Sequence, residues 1–433
     1  MSEKKQIFPV RHGLQGEVNI PGDKSVSHRS VILSALADTP VCITNFLQAQ
    51  DCLSTVSCMK QLGTDIDMQA DGTLLVTGNG LHGLQEPAGI LDAGDSGTLL
   101  RLLLGLLAPQ PFLATFTGDA SLSRRPMGRV IEPLKQMGAH IVGRDGNRLL
   151  PITVLPALQP LTGITYQMPV ASAQVKSALL LAGMYAEGET TILEPYASRD
   201  HTERMLEAFG IPVRKSGVGV TMQPVEKLCA PEAIDVPGDI SSAAYWMVAA
   251  SVIAGSDVVL KKVGVNPTRT GILDVLRAMG ADIQCMNERV SGGEPMADIR
   301  VRSAKLHGVS FGAEIMPRLI DEIPILTVAA MFADGATTIT GAGELRVKET
   351  DRLQAIIDQY TKLAPCIDGQ ADGLVIHGPA VFSDASCFSY DDHRIAMSLA
   401  IAGAAGQGVT IENAACVNIS YPEFYTTLHS LTK

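Results

Sequence analysis

"SGTLLRLLLGLLAPQPFLATFTG", residues 96–118, opens on a serine, runs through ten residues that include a single charge, meets two prolines and ends in aromatic and β-branched residues. The serine suits a helix N-cap, and the leucine run is apolar nearly all round, as only a buried helix can be. The prolines stop it, and the residues after them read as a strand. A helix of this kind needs other layers on every side. The fold therefore depends on how often the pattern returns.

It returns five more times. The copies are "SVSHRSVILSALADTPVCITNF" (25–46), "SAQVKSALLLAGMYAEGETTILEP" (172–195) and "ISSAAYWMVAASVIAGSDVVLKKV" (240–263), then "IDEIPILTVAAMFADGATTITGA" (320–342) and "DDHRIAMSLAIAGAAGQGVTIENA" (391–414). Each is expected to open on a Ser or Asp cap. Alternating with them is an amphipathic helix, usually a glycine stop, and a β-hairpin, as in "RPMGRVIEPLKQMGAHIVGRDGNRLLPI" (125–152). Asp71-Gly72, Asp145-Gly146 and Asp372-Gly373 fit tight hairpin turns. The first unit occurs six times and the second five. The strand-like "QIFPVRHGLQGEVNI" (6–20) is expected to complete the sixth repeat. The resulting α/β chain has two domains of three repeats, 22–236 and 1–20 with 237–433. Crossovers fall near 20–22 and 236–238.

With 34 basic and 45 acidic residues among 433, the net charge is −11, which argues against nucleic-acid and anionic-membrane binding. The eight cysteines form no CxxC pair, so no zinc or redox motif is indicated, and scattered thiols suit a reducing compartment. The amino end lacks a signal-peptide core, and the 99–108 run is too short to span a bilayer. A cytoplasmic protein is expected. The only G-x-G-x-x-G match, "GNGLHG" (78–83), follows a hairpin strand and leads into no helix.

Against this acidic background, cations gather at unit boundaries, where helices should start. "GDKSVSHRS" (22–30) holds Lys24, His28 and Arg29, "RRPMGR" (124–129) holds Arg125, and "SRDHTER" (198–204) holds Arg199. "LRVKETDRL" (345–353) sets Lys348 and Arg352 on one face if helical, with Glu349 between them, and "DDHRIAMSLA" (391–400) adds Arg394. Helix N-termini and bidentate guanidinium groups both favour phosphates and carboxylates. Such segments facing one cleft imply small substrates with several negative charges. Asp321 and Glu349 are then candidates for proton transfer.

"PGDKSVSHRS", "GDSGTLLR", "RRPMGR", "SAQVKSALLLAG", "LRVKETDRL" and "DDHRIAMS" together closely resemble the 5-enolpyruvylshikimate-3-phosphate (EPSP) synthase family over nearly the whole chain. "GDKS", "SAQVK", "RDHTE" and "NPTR" further resemble its class II, glyphosate-tolerant branch. The resemblance implies a two-domain enolpyruvyl transferase-like fold of βαββαβ repeats, with buried parallel helices and outer sheets. It implies transfer of the enolpyruvyl group of phosphoenolpyruvate to the 5-hydroxyl of shikimate 3-phosphate, by a monomer without metal or cofactor. Lys24, Ser25, Arg29, Ser172, Ala173, Gln174, Arg199, Asp321 and Lys348 would meet shikimate 3-phosphate. Lys24, Gly97, Arg125, Gln174, Arg352 and Arg394 would meet phosphoenolpyruvate. Asp321, Glu349 and Lys24 would carry the catalysis.

Three features stand out against the family pattern, one of them Gly97, retained where some glyphosate-tolerant members carry Ala. Asp95 stands where Asn is frequent, adding a negative charge near the phosphoenolpyruvate pocket. Ile419 replaces a lysine, as is common in the class II branch. The sister enzymes that act on UDP-N-acetylglucosamine typically carry a loop cysteine, and "LAPQPFLATFTGDA" (107–120) has none.

Overall fold

Three largely buried helices organise each of two units in the computed structural model, which describes residues 3–432. One unit comprises Gly22–Pro237 and the short segment Val290–Glu294. The other takes the chain up to Pro21, Gly238–Arg289 and everything from Pro295. Each unit has its own apolar core.

In the Gly22–Pro237 unit the buried helices are Lys24–Ala35, Gly97–Leu107 and Ala173–Gly183. Asp23, Ser96 and Ser172 cap them, accepting from the N–H groups of Val26, Leu99 and Val175. In the other unit they are Ile240–Val252, Ile323–Phe332 and His393–Ala405. Asp239 and Asp392 cap the first and last of these. The expected cap is missing from Ile323–Phe332. A 3-10 turn, Ile320–Glu322, precedes it, Pro324 occupies its first turn, and no side chain caps it.

Amphipathic helices alternate with the buried ones: Gln50–Gln61, Gly128–Gln136, His201–Ala208, Gly271–Ala278 and Arg352–Leu363. The first four end at Gly63, Gly138, Gly210 and Gly280, all with positive φ. Of the three Asp-Gly turns, only Asp145-Gly146 has positive φ at both residues, as the primed hairpin turn requires.

Six small sheets surround the helices. Each joins a parallel pair to antiparallel neighbours. Leu91–Asp92 runs parallel to Ala114–Thr117, for example, which pairs antiparallel with Leu149–Val154. The N-terminal strands do not both complete the sixth repeat. Lys5–Ile7 does, pairing antiparallel with Val409–Glu412. Gln15–Asn19 instead lies parallel to Asp257–Gly264 of the fourth repeat. Ala233–Asp235 likewise returns to Val41–Thr44, the first strand of its unit. Each unit thus ends by adding a strand to the sheet with which it began.

Val290–Glu294, expected with the rest of 237–433, groups with the other unit. There the buried Glu294 pairs with His201 at 2.9 Å, and Asp235 N–H donates to Ser291 Oγ at 2.8 Å.

Gly105 sits where the helix Gly97–Leu107 meets Ala173–Gly183. A Cβ there would lie 2.1 Å from the Ala178 carbonyl oxygen. Gly105→Ala is expected to lower stability by about 1–3 kcal/mol, since a backbone carbonyl cannot turn aside as a side chain can. The urea unfolding midpoint reads this, and an unchanged midpoint would show that the two helices part at no cost.

Candidate active site

The Gly22–Pro237 unit collects its polar residues at helix starts. Lys24 Nζ lies 2.8 Å from Asp51 Oδ2, on the first turn of the helix Gln50–Gln61. Gly97 is the first residue of its helix, and a Cβ on it would meet Arg101 Nη1 at 2.6 Å and Arg125 Nη1 at 3.1 Å. Burial, with Arg125 and Arg129 nearby, pulls the Arg101 guanidinium down to about 10. Three arginines gathered there leave positive charge in excess, which favours an anion. Arg125 is not at a helix start, as its sequence suggests. The 3-10 turn Leu122–Arg124 ends before it, the next helix begins at Gly128, and its backbone is extended.

Gln174 Nε2 donates to Thr98 Oγ1 at 2.9 Å, which ties the Ala173 helix to the Gly97 helix. The buried Oε1 of Gln174 has no hydrogen-bond partner. Arg29 is buried and bridges three elements. It donates to Thr202 Oγ1 at 2.6 Å, Ser177 Oγ at 2.8 Å and Ser25 O at 2.9 Å. Three of its five N–H groups are therefore engaged within the protein. His28 adds no charge to this cluster. Burial pulls it down to about 3, so it is neutral, with Nδ1 2.5 Å from Thr55 Oγ1.

Below Arg199 lies a charged group that sequence reasoning missed. Lys176, buried in the Ala173 helix, reaches Glu194 at 2.8 Å and Glu203 at 2.7 Å. Burial opposes its charge, but Glu203 and Glu194 outweigh burial and raise its pKa. Glu194 also accepts from Ser198 N–H at 3.4 Å, which anchors the chain just before Arg199. The available signal was a lysine inside an otherwise apolar helix, since a buried cation requires partners. Arg101 carried the same signal.

The other unit gathers charge around Asp321. Lys348 Nζ stands 3.6 Å from Asp321 Oδ1, and Arg352 Nη1 stands 3.5 Å from the same oxygen. Arg352 also pairs with Glu349 at 2.7 Å and with Asp392 at 2.8 Å. The helical face expected for Lys348 and Arg352 does not form. A 3-10 turn ends at Val347, Lys348 is extended, and the helix starts only at Arg352, capped by Asp351. The two cations meet through Asp321 instead.

Arg394 follows the Asp392 cap. Burial opposes its charge, but Asp321 leads the groups that overcome this and raise its pKa. His393 is pulled down to about 4 by burial and by Arg394, so it is neutral. Behind Asp321, the buried Glu322 accepts from Ser241 Oγ, to which Arg269 donates at 2.7 Å. The arrangement sets two carboxylates, Asp321 and Glu349, against Arg352, with Lys348 on Asp321 as well.

The family model for EPSP synthase (3-phosphoshikimate 1-carboxyvinyltransferase) matches residues 10–428. The chain is 54% identical over 427 residues to the 3-phosphoshikimate 1-carboxyvinyltransferase of Desulforudis audaxviator, covering 98% of this chain and 99% of that one. The solved structure of EPSP synthase from Acinetobacter baumannii superposes with a TM-score of 0.92 at 43% identity, over 100% of this chain and 98% of the other. The enolpyruvyl transferase NikO from Streptomyces tendae shares the fold, with a TM-score of 0.80 at 19% identity over 100% of this chain and 98% of that one. The six-sheet α/β architecture and the full-length likeness agree, and the chain belongs to the EPSP synthase family of carboxyvinyltransferases.

Proposed function

We propose that this protein transfers the enolpyruvyl group of phosphoenolpyruvate to the 5-hydroxyl of shikimate 3-phosphate and releases phosphate. The observation that carries this reading is the meeting of Lys348 and Arg352 on Asp321, with Glu349 beside them. A carboxylate set among cations stays ionised, so it is ready to take a proton. Asp321 removes the 5-hydroxyl proton as the oxygen attacks C2 of phosphoenolpyruvate, while Lys348 steadies the developing charge. C3 gains a proton in the addition and loses one when phosphate leaves, and Glu349 handles that exchange. Arg352 and Arg394 hold phosphoenolpyruvate from one unit. Lys24, Gly97, Arg125 and Gln174 hold it from the other.

Shikimate 3-phosphate is held by Lys24, Ser25, Arg29, Ser172, Ala173, Gln174, Arg199, Asp321 and Lys348. For Arg29 this leaves only the N–H groups not already used by Thr202, Ser177 and Ser25. The two units close over both substrates, excluding water and aligning the reacting atoms. The protein works in the cytoplasm as a monomer, and its free cysteines accord with a reducing compartment. It belongs to the class II branch with reduced glyphosate sensitivity. The four branch motifs and Ile419 support that placement.

Phosphate release should require both substrates together. Glyphosate should inhibit it with a constant well above the KM for phosphoenolpyruvate. Release with phosphoenolpyruvate alone would sink the proposed reaction. Inhibition at or below that KM would sink the branch assignment alone.

Asp321→Ala and Arg125→Ala should fail in different ways. The first removes the base and should cut kcat by roughly 10²–10⁴-fold, with little effect on phosphoenolpyruvate binding. The second should weaken phosphoenolpyruvate by about 2–4 kcal/mol and leave shikimate 3-phosphate affinity intact. Equal loss of both affinities in Arg125→Ala would contradict its assignment.

A further inference from the structure

We infer that Asp95 is a positioning residue that acts as a neutral acid: its carboxyl shares one proton with Asp51, orienting the Asp51 carboxylate on Lys24 without placing a second negative charge in the anion site. The inference rests on the proposed function for the identity of the anion alone.

Three helix starts converge here. Lys24 opens one helix, Asp51 lies on the first turn of the next, and Asp95 immediately precedes the Ser96 cap of the third. Asp51 is buried, and its Oδ2 takes the Lys24 ammonium at 2.8 Å. Its Oδ1 is also buried and meets no protein N–H or O–H donor, and the same is true of Asp95 Oδ1. Yet the Asp51 and Asp95 side chains are in hydrogen-bond contact with each other. Ionised carboxylates only accept hydrogen bonds, so this contact needs a proton, which supplies the missing donor. Two charges at that separation in a partly buried site cannot both persist.

The surroundings decide which carboxyl holds the proton. Asp51 has Lys24 against it, and its carboxyl lies well below the usual carboxylate range despite burial. Asp95 is pushed up to about 7 by burial first, then by its hydrogen bond to Asp51 and the Asp51 charge, with Lys24 opposing. The Lys24 helix also presents His28, which is neutral and 3.4 Å from Ser96 Oγ. Around Gly97 stand Arg101 and Arg125. On the neighbouring loops, Asp92 and Asp119 accept from the N–H groups of Gly94 and Leu122.

The sign of the pH effect follows. Below about 7 Asp95 is neutral, and Lys24 faces one carboxylate. Above it Asp95 ionises next to Lys24 and Gly97, and an anionic substrate binds less well. By linkage, a bound anion favours the protonated form in return.

The test compares Asp95→Asn with the native chain from pH 6 to 9, at saturating shikimate 3-phosphate. Asparagine donates the same hydrogen bond but cannot ionise. The ratio of kcat/KM for phosphoenolpyruvate, variant over native, should therefore rise about threefold to tenfold across that range through KM. A flat ratio overturns the positioning role. Difference infrared spectroscopy of the substrate-free protein should show a carboxylic-acid band titrating near neutrality. That band should be absent in Asp95→Asn and should move to acid pH in Asp51→Asn. No such band in the native chain overturns the protonation. The infrared arm does not depend on turnover, so it stands or falls separately from the proposed reaction.

Discussion

A buried guanidinium underlies the charged cluster of each unit, and the helix starts around it are tied together through it. Arg352 joins its own helix to the Asp392 cap of another and to Asp321 in the turn before a third. Arg29 does the same in the other unit, fastening its helix to Ser177 and Thr202 on two neighbours. Burying a cation is costly unless its donors are met, so each arginine holds together elements that apolar packing alone would leave free to slide. Lys24, Gln174 and Arg199 lie at or beside helix starts in one unit, and in the other Arg394 lies at a helix start while Lys348 and Glu349 lie in the turn before Arg352.

The repeat was legible because its signal is coarse. A helix apolar on every face, a proline or glycine stop and a β-branched strand survive single substitutions, and six copies average out local noise. The destination of Gln15–Asn19 was not legible, because edge pairing depends on which sheet offers a free parallel edge in space. Lys348 and Arg352 show a second limit. Their i, i+4 spacing suggested a helical face, but the Asp351 cap starts the helix only at Arg352, and the two meet through Asp321, far back in the chain. His28 shows a third. Sequence counts it among cations, whereas burial makes it neutral.

Local irregularity and chemistry coincide at Asp321. Five of the six buried helices commit a Ser or Asp side chain to their own N–H groups, but the helix at Ile323 does not. Pro324 removes one N–H from the first turn, and the preceding 3-10 turn sets Asp321 outside the helix. From that turn the Asp321 carboxylate meets Lys348 and Arg352. Gly97 shows the same logic with backbone, since the missing Cβ lets Arg101 and Arg125 approach a helix start.

The pairing of Lys5 with Ile411 joins residues more than four hundred positions apart. On the ribosome, the earlier strand must wait for a partner made some four hundred residues later. The Gly22–Pro237 unit is almost one continuous stretch and can collapse while synthesis proceeds, but the other unit keeps unpaired strand edges until its distant second part has emerged. Non-local closure of this kind makes that unit the slower of the two to hide its strand edges.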